Sequence, residues 1–209
     1  MINVTFLPVK RYIWRTGLNR VEEKRLIQAA SKGDSQAFAA LYRANVQAIY
    51  RYIYYRVSDA HVAEDLTADV FTKALKAIRT YKDSGKPLIA WLYRIAHARV
   101  VDHYRKTERR PDQVDIEKLS VSESADMDNR LLRQQTAKAL RLAISQLTAD
   151  QQQVIILRFI EDKRLEEVAQ LMGKNVNAIK ALQHRALRSL ASRLERAGFK
   201  IDEFIAGLL

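Results

Sequence analysis

The sequence predicts an all-α protein built as two small helical domains joined by an extended linker. Apolar residues recur at three- and four-residue spacing along almost the whole chain, the period of a helix face. Only six glycines and three prolines interrupt 209 residues, so backbone breakers are few. One stretch, 107–127, lacks periodicity and turns acidic, with Glu108, Asp112, Asp115, Glu117, Glu123 and Asp126. It reads as a linker and divides the chain. The expected plan is an N-terminal extension over 1–20, a first domain over 21–106, the linker, a second domain over 128–197 and a tail over 198–209.

In the extension, Lys10, Arg11, Arg15 and Arg20 alternate with Tyr12, Ile13 and Trp14. It is a basic arm or a loose terminus, and the loose terminus is the expectation. A first helix is predicted over 21–30. Gly33 ends it, and Asp34 caps a second helix over 36–57. There Phe38, Leu41, Tyr42, Ile49, Ile53 and Val57 form the inner face. Tyr50, Tyr52, Tyr54 and Tyr55 cluster late in it. Such rings can stack on bases, but tyrosines on a helix more often pack in a core or hold a partner helix.

Asp59 caps a third helix over 60–79, with Val62, Leu66, Val70, Ala74, Leu75 and Ile78 as its apolar face. Glu64, Asp65 and Asp69 complement the helix dipole near its start. In a basic protein such an acidic face can also dock a basic protein surface. Turn formers Asp83, Ser84, Gly85 and Pro87 make 81–87 a loop. A fourth helix is predicted over 88–105, led by Leu88, Trp91, Leu92, Ile95 and Ala96. Its surface then becomes basic, with Arg94, His97, Arg99, His103, Arg105 and Lys106, and Trp91, Tyr93 and Tyr104 lie among these. Cations mixed with aromatic rings suit single-stranded nucleic acid, though by itself Trp91 reads as a core residue.

The second domain opens with a helix over 128–146. Thr148-Ala149-Asp150-Gln151 is a capping-box pattern that starts the next helix, ending at 160. A short amphipathic helix over 165–172 follows, with Leu165, Val168, Ala169 and Met172 on one side. Gly173 can take the left-handed backbone that ends it. Asn175 can cap the last helix, 176–196, whose stripe is Ile179, Leu182, Ala186, Leu187, Leu190 and Leu194. Its other side carries Lys180, Arg185, Arg188, Arg193 and Arg196 against Glu195.

Helix, glycine turn, basic helix is the helix-turn-helix pattern. In it Asn177, Lys180, Ala181, His184 and Arg185 look outward into a major groove. Lys180, Arg185 and Arg188 suit phosphates or guanine edges, and Asn177 or His184 can read a base. An ordinary helical hairpin with a solvated basic face is the competing reading. The net charge of +12 favours a polyanionic partner. A membrane is the weaker choice, because no apolar run reaches spanning length. The start of the chain has no charged segment followed by an apolar core, so no secretory signal is expected. There is no cysteine, hence no disulfide or thiolate metal site, and a reducing cytoplasm is compatible. His61 and Asp65 stand at i and i+4, a spacing too common to imply a metal, and no cofactor or catalytic site is expected.

Four segments in order carry a resemblance. The run from Ala30 to Tyr42, with Gly33, Asp34 and Phe38, is the first. Ala63 to Leu75 is the second, and Ala90 to Arg105, opening Ala-Trp-Leu-Tyr-Arg-Ile-Ala, is the third and most specific. The helix-turn-helix is the fourth. Over about residues 26–194 the chain resembles the bacterial extracytoplasmic-function (ECF) sigma factors of the sigma-70 family. The resemblance implies a region 2 four-helix unit and a region 4 helix-turn-helix.

It also implies roles. Glu64, Asp65, Asp69 and Phe71 would dock on the clamp helices of the polymerase β′ subunit, and the second domain would meet the β flap. Lys82, Lys86, Trp91, Tyr93, Arg94, His97, Ala98 and Arg99 would read and hold the melted −10 element. Asn177, Lys180, Ala181, His184, Arg185 and Arg188 would face the −35 element. The acidic linker would thread toward the RNA exit path, and an anti-sigma factor is a possible further partner. Departures are Ala68 where the family often has Gln, Thr148 for a common Pro, and Ala181 and Leu182 for Ser and Arg. Ala98 lies near a position that is Asn in some members. A stand-alone helix-turn-helix regulator is the alternative reading.

Overall fold

A computed structural model describes residues 18–107 and 129–199. Every regular element among them is helical. The N-terminal unit has α1 (Arg20–Ser31), α2 (Ser35–Val57), α3 (Ala60–Ala77), a 3-10 turn (Ile78–Thr80) and α4 (Leu88–Thr107). The C-terminal unit has α5 (Asn129–Ser145), α6 (Ala149–Ile155), a π turn (Ile156–Ile160), α7 (Leu165–Met172) and α8 (Val176–Arg196). The expected extension, linker and tail lie almost wholly outside the described residues.

Short polar side chains start the helices as the sequence predicts. The Asp34 carboxylate accepts from the amides of Gln36 and Ala37 at 2.9 and 3.0 Å. Asp59 accepts from Val62 N–H at 3.0 Å, and Asn175 from Ala178 N–H at 2.8 Å. The Gln151 side chain accepts from Thr148 N–H at 3.1 Å, the returning bond of the capping box. Helix α4 has no such cap of its own. Glu23 of α1 accepts from Leu88 N–H at 3.2 Å and so satisfies that end from another helix.

In the N-terminal unit α2 packs against α1, α3 and α4. Leu41, Ile49, Tyr52 and Ile53 of α2 meet Val70, Phe71, Ala74 and Ile78, and Leu88, Leu92, Ala96 and Val100 of α4. The C-terminal core joins Leu142, Ile144, Val154, Ile156, Leu157, Val168, Ile179, Leu187 and Leu190. Helix α3 is turned relative to the sequence expectation. Ala63, Thr67, Val70, Phe71 and Ala74 are buried, whereas Leu75 is 51% exposed. Thr67 can face inward because its hydroxyl donates to the Ala63 carbonyl at 2.6 Å. Tyr42, expected inside, is 41% exposed and caps the rim of Phe71 edge-on, with centroids 4.8 Å apart.

The two units are docked. Helix α2 touches α5 and the π turn, and α4 touches α7.

Ile179 and Lys180 are neighbours on α8 with opposite environments, the first fully buried and the second exposed. Ile179→Ala should cost about 2–5 kcal/mol in urea unfolding, and Lys180→Ala no more than about 0.5 kcal/mol. Equal losses would show that the helix face is assigned wrongly.

Candidate nucleic-acid and polymerase interfaces

Helix α7 ends where Gly173 takes φ 66°, and α8 begins two residues later at its Asn175 cap. A side chain at 173 would be strained there, so the tight turn depends on glycine. Ile179, Leu182, Ala186, Leu187 and Leu190 anchor the underside of α8. Polar contacts add register. Arg158 Nε donates to Gln183 Oε1 at 3.1 Å, and Gln151 to the Ser189 hydroxyl at 3.4 Å. The opposite face carries Asn177, Lys180, Ala181, His184, Arg185 and Arg188, all exposed. Their spacing of three and four residues makes one continuous stripe. Leu182 is buried, so a polar residue lost there is no lost reader.

The second basic surface lies on α4 and the loop before it. Lys82 and Lys86 are exposed in that loop. Asp83 holds the loop by accepting from Gly85 N–H at 2.9 Å and from Arg20 at 3.1 Å. Arg94 and Ala98 are exposed one turn apart on α4. Trp91 is half-buried with its ring edge-on to Tyr81 at 4.9 Å. Arg99 pairs with Asp102 and, at 3.5 Å, with Asp69 of α3. Its charge is therefore partly neutralised, and Asp69 is tied to a residue of the set expected to face the strand.

Tyr93, expected among the strand contacts, is a core residue. It is 2% exposed and packs its ring 4.9 Å from that of Tyr52. Burial pushes its hydroxyl well above the ordinary tyrosine value. The alternation of Trp91, Leu92 and Tyr93 conceals this, because α4 lies against α2 on one side and α3 on the other.

His97 sits half-buried between these surfaces. Its Nδ1 is 3.0 Å from Arg56 Nη1, so the guanidinium donates and the ring nitrogen accepts. Arg56 is itself 3% exposed, donates to the Tyr52 hydroxyl and lies 5.1 Å from the centroid of that ring. The Tyr104 hydroxyl donates to the Arg56 carbonyl, and burial pushes its pKa up to about 12. Nothing in the sequence reading singles out this Tyr52–Arg56–His97 group. Its only signal is an arginine at the i+4 position of a tyrosine, which is too common to use.

The expected polymerase-docking set divides. Glu64 and Asp65 are exposed on α3, and Asp69 is partly exposed. Phe71 is 6% exposed and belongs to the core, because its ring fills the α2–α3 contact beside Tyr42. No group of three metal-ligating side chains occurs among the described residues.

Residues 41–110 match the family described as Sigma-70 region 2, and residues 137–190 match Sigma-70, region 4. The ECF RNA polymerase sigma factor BldN of Streptomyces coelicolor is 38% identical over 170 residues. That match covers 81% of this chain and 64% of BldN. This chain is an ECF sigma factor of the sigma-70 family. ShbA of Streptomyces griseus, also an ECF sigma factor, is 29% identical over 82% of this chain and 94% of its own. Among solved structures, CnrH in complex with the cytosolic domain of CnrY has a similar fold. It has a TM-score of 0.60 at 21% identity, over 83% of this chain and 97% of that one. The sigma factor RpoE in complex with the anti-sigma factor NepR from Bartonella quintana gives 0.53 at 25%, over 76% and 96%. In this sigma factor the α4 surface lies within the region 2 match, and the exposed stripe of α8 within the region 4 match.

Burial, and then the Arg56 charge, hold the His97 pKa below its ordinary 6.5, while Asp150 opposes them weakly. The unfolded chain takes up a proton that the folded chain resists. The stabilisation is therefore complete above about pH 6.5 and is lost as pH falls through the depressed folded value. Urea melts at about pH 7.5 and about pH 5.5 should show the loss, and His97→Asn should reduce it. An identical pH slope in both proteins would assign the effect to another group.

Proposed function

We propose that this sigma factor directs core RNA polymerase to promoters through two separate DNA surfaces and has no catalytic site of its own. The observation that carries this reading is the exposed stripe of six residues on a capped helix that follows a left-handed glycine turn. In it Lys180, Arg185 and Arg188 meet phosphates or guanine edges of the −35 duplex, and Asn177 and His184 reach base edges. Ala181 offers a methyl group to a thymine.

Lys82, Lys86, Trp91, Arg94, His97 and Ala98 form the surface for the opened −10 strand. Trp91 supplies a ring for an unstacked base, and Lys82, Lys86 and Arg94 supply charge for the backbone. Glu64 and Asp65 face the β′ clamp helices, and the C-terminal unit meets the β flap. The place of action is the bacterial cytoplasm, where polymerase and chromosome are. RpoE is described with an anti-sigma factor, and a regulator of that kind is proposed here as well.

Magnitudes explain why polymerase is needed. Opening a base pair costs about 1.4 kcal/mol in stacking, so ten cost on the order of 14 kcal/mol. A captured base returns about 1–3 kcal/mol. A small helical unit can trap an opening but cannot create it.

Run-off transcription with bacterial core polymerase on a pool of promoter fragments tests the reading. Initiation at a defined −35/−10 pair should require this protein, and Glu64→Lys with Asp65→Lys should abolish it. Arg185→Ala should weaken −35 binding by about 1–3 kcal/mol, and Arg188→Ala should lower the salt slope by about one. Tight operator binding by the protein alone, without polymerase-dependent initiation, would instead favour a stand-alone regulator.

A further inference from the structure

A cleft of about 440 Å³ lies where the two units meet. It has the size of a site for one small molecule. Trp91, Arg94 and His97 of α4 line one side, and Asp150, Met172 and Lys174 of the C-terminal unit line the other. The units are tied by Arg51 of α2, which donates from Nε and Nη2 to the two Glu161 oxygens at 2.6 and 2.8 Å. Lys86 also lines the cleft, and its ammonium lies so near α7 that a β-carbon on Gly173 would be 3.2 Å from it. Gly173 directly precedes Lys174, so each unit brings one ammonium group to the same place.

Charge and hydrogen-bonding capacity are unbalanced on these walls. Lys86, Arg94 and Lys174 face a single carboxylate, Asp150, an excess of two cations. Asp150 pairs with Lys174 at 3.1 Å, and both side chains are exposed, so Lys174 can turn to a second anion at little cost. Because the His97 Nδ1 accepts from Arg56, its Nε2–H is left as a donor. Behind His97, the Arg56 side chain meets only the neutral Tyr52 hydroxyl and imidazole, and its Nε has no partner among the described residues. A cation buried to 3% exposure without a carboxylate beside it adds to the positive potential of that wall. The buried hydroxyl of Tyr93, another lining residue, is likewise without a partner among the described residues. Donors and cations thus predominate, and the occupant that balances them is an anion rich in acceptor oxygens. The same cleft has aromatic walls, for Trp91 and Tyr81 line it with their rings edge-on at 4.9 Å. A phosphate monoester carries about −1.5 to −2 charges at neutral pH, which matches the excess of two cations. A nucleobase supplies the flat ring that an aromatic wall accepts.

We propose that this cleft is a binding site for a nucleoside phosphate, with Lys86, Arg94 and Lys174 around the phosphate and Trp91 against the base. It shares Lys86, Trp91, Arg94 and His97 with the surface proposed above for the opened strand. Asp150, Met172 and Lys174 belong to the cleft alone, and they make it distinguishable from that surface. The occupant is either a free nucleotide or one nucleotide of a strand, and the recognition chemistry is the same for both.

Trp14→Phe leaves Trp91 as the one tryptophan of the full chain, so its fluorescence reports the cleft. Adenosine 5′-monophosphate should quench it saturably, and adenosine or inorganic phosphate alone should bind at least about tenfold more weakly. Lys174→Gln should weaken the mononucleotide roughly 3–10-fold, and Asp150→Asn should tighten it by a similar factor. Opposite signs at two residues exclude a general loss of folding. Absence of saturable quenching, or one affinity in wild type and both variants, would overturn the site. Anisotropy with a mixed-sequence single-stranded 12-mer separates the two sources. Strand binding weakened by Lys174→Gln places a nucleotide of the strand in the cleft, whereas strand binding indifferent to it makes a free nucleotide the occupant. Mononucleotide binding without any strand binding would overturn the assignment of α4 and leave the cleft site standing. Strand binding without mononucleotide binding would do the reverse.

Discussion

Helix α2 is the element on which everything else is hung. It packs against α1, α3 and α4 within its own unit and against α5 and the π turn of the other. Burial of Leu41, Ile49, Tyr52 and Ile53 supplies the driving force, at roughly 1.5–3 kcal/mol for each large side chain. Polar residues on the same helix then specify position. The Asn45 side chain donates to the Leu41 carbonyl at 2.8 Å, and Arg56 gathers Tyr52 and His97 around it. Tyr104 closes the set on the Arg56 carbonyl. These bonds fasten the far end of α2 to α4, and α4 carries the residues proposed to face the opened strand.

Charge is distributed unevenly over this frame. On α8, Lys180, Arg185 and Arg188 form no ion pair among the described residues, so their field is free to act on a polyanion. On α4, by contrast, Arg99 is held by Asp69 and Asp102. The two surfaces thus differ in kind. One is an open row of cations suited to a duplex backbone. The other is a smaller patch that sets the Trp91 ring and the His97 imidazole beside its cations, an arrangement that suits the proposed contact with a strand whose bases are exposed.

The docked arrangement links these surfaces through the same helix. Arg51 and Arg56 are five residues apart on α2. The first meets the C-terminal unit and the second supports His97 of α4. Contacts across the seam and the position of His97 on α4 therefore share one helix as their support. A change of register in α2 would disturb both.

The sequence alone determined the helical class, the caps at Asp34, Asp59 and Asn175, the glycine turn at Gly173 and the outward stripe of α8. Each depends on residues within a few positions of one another, and helix periodicity and capping are local physics. The exposure of Glu64 and Asp65 on α3 was legible for the same reason. Tertiary structure decided the rest. Thr67 faces inward on α3 while Leu75 faces out, because its hydroxyl finds a carbonyl one turn back and Phe71 fills the space beside α2. Tyr93 is core because α4 is covered on two sides, which its own pattern of Trp, Leu and Tyr does not reveal. The Arg51–Glu161 pair joins residues 110 positions apart, and no local rule connects them. Such a pair exists only once the two faces have met, and its two charge-assisted hydrogen bonds then offset the cost of taking both groups out of water.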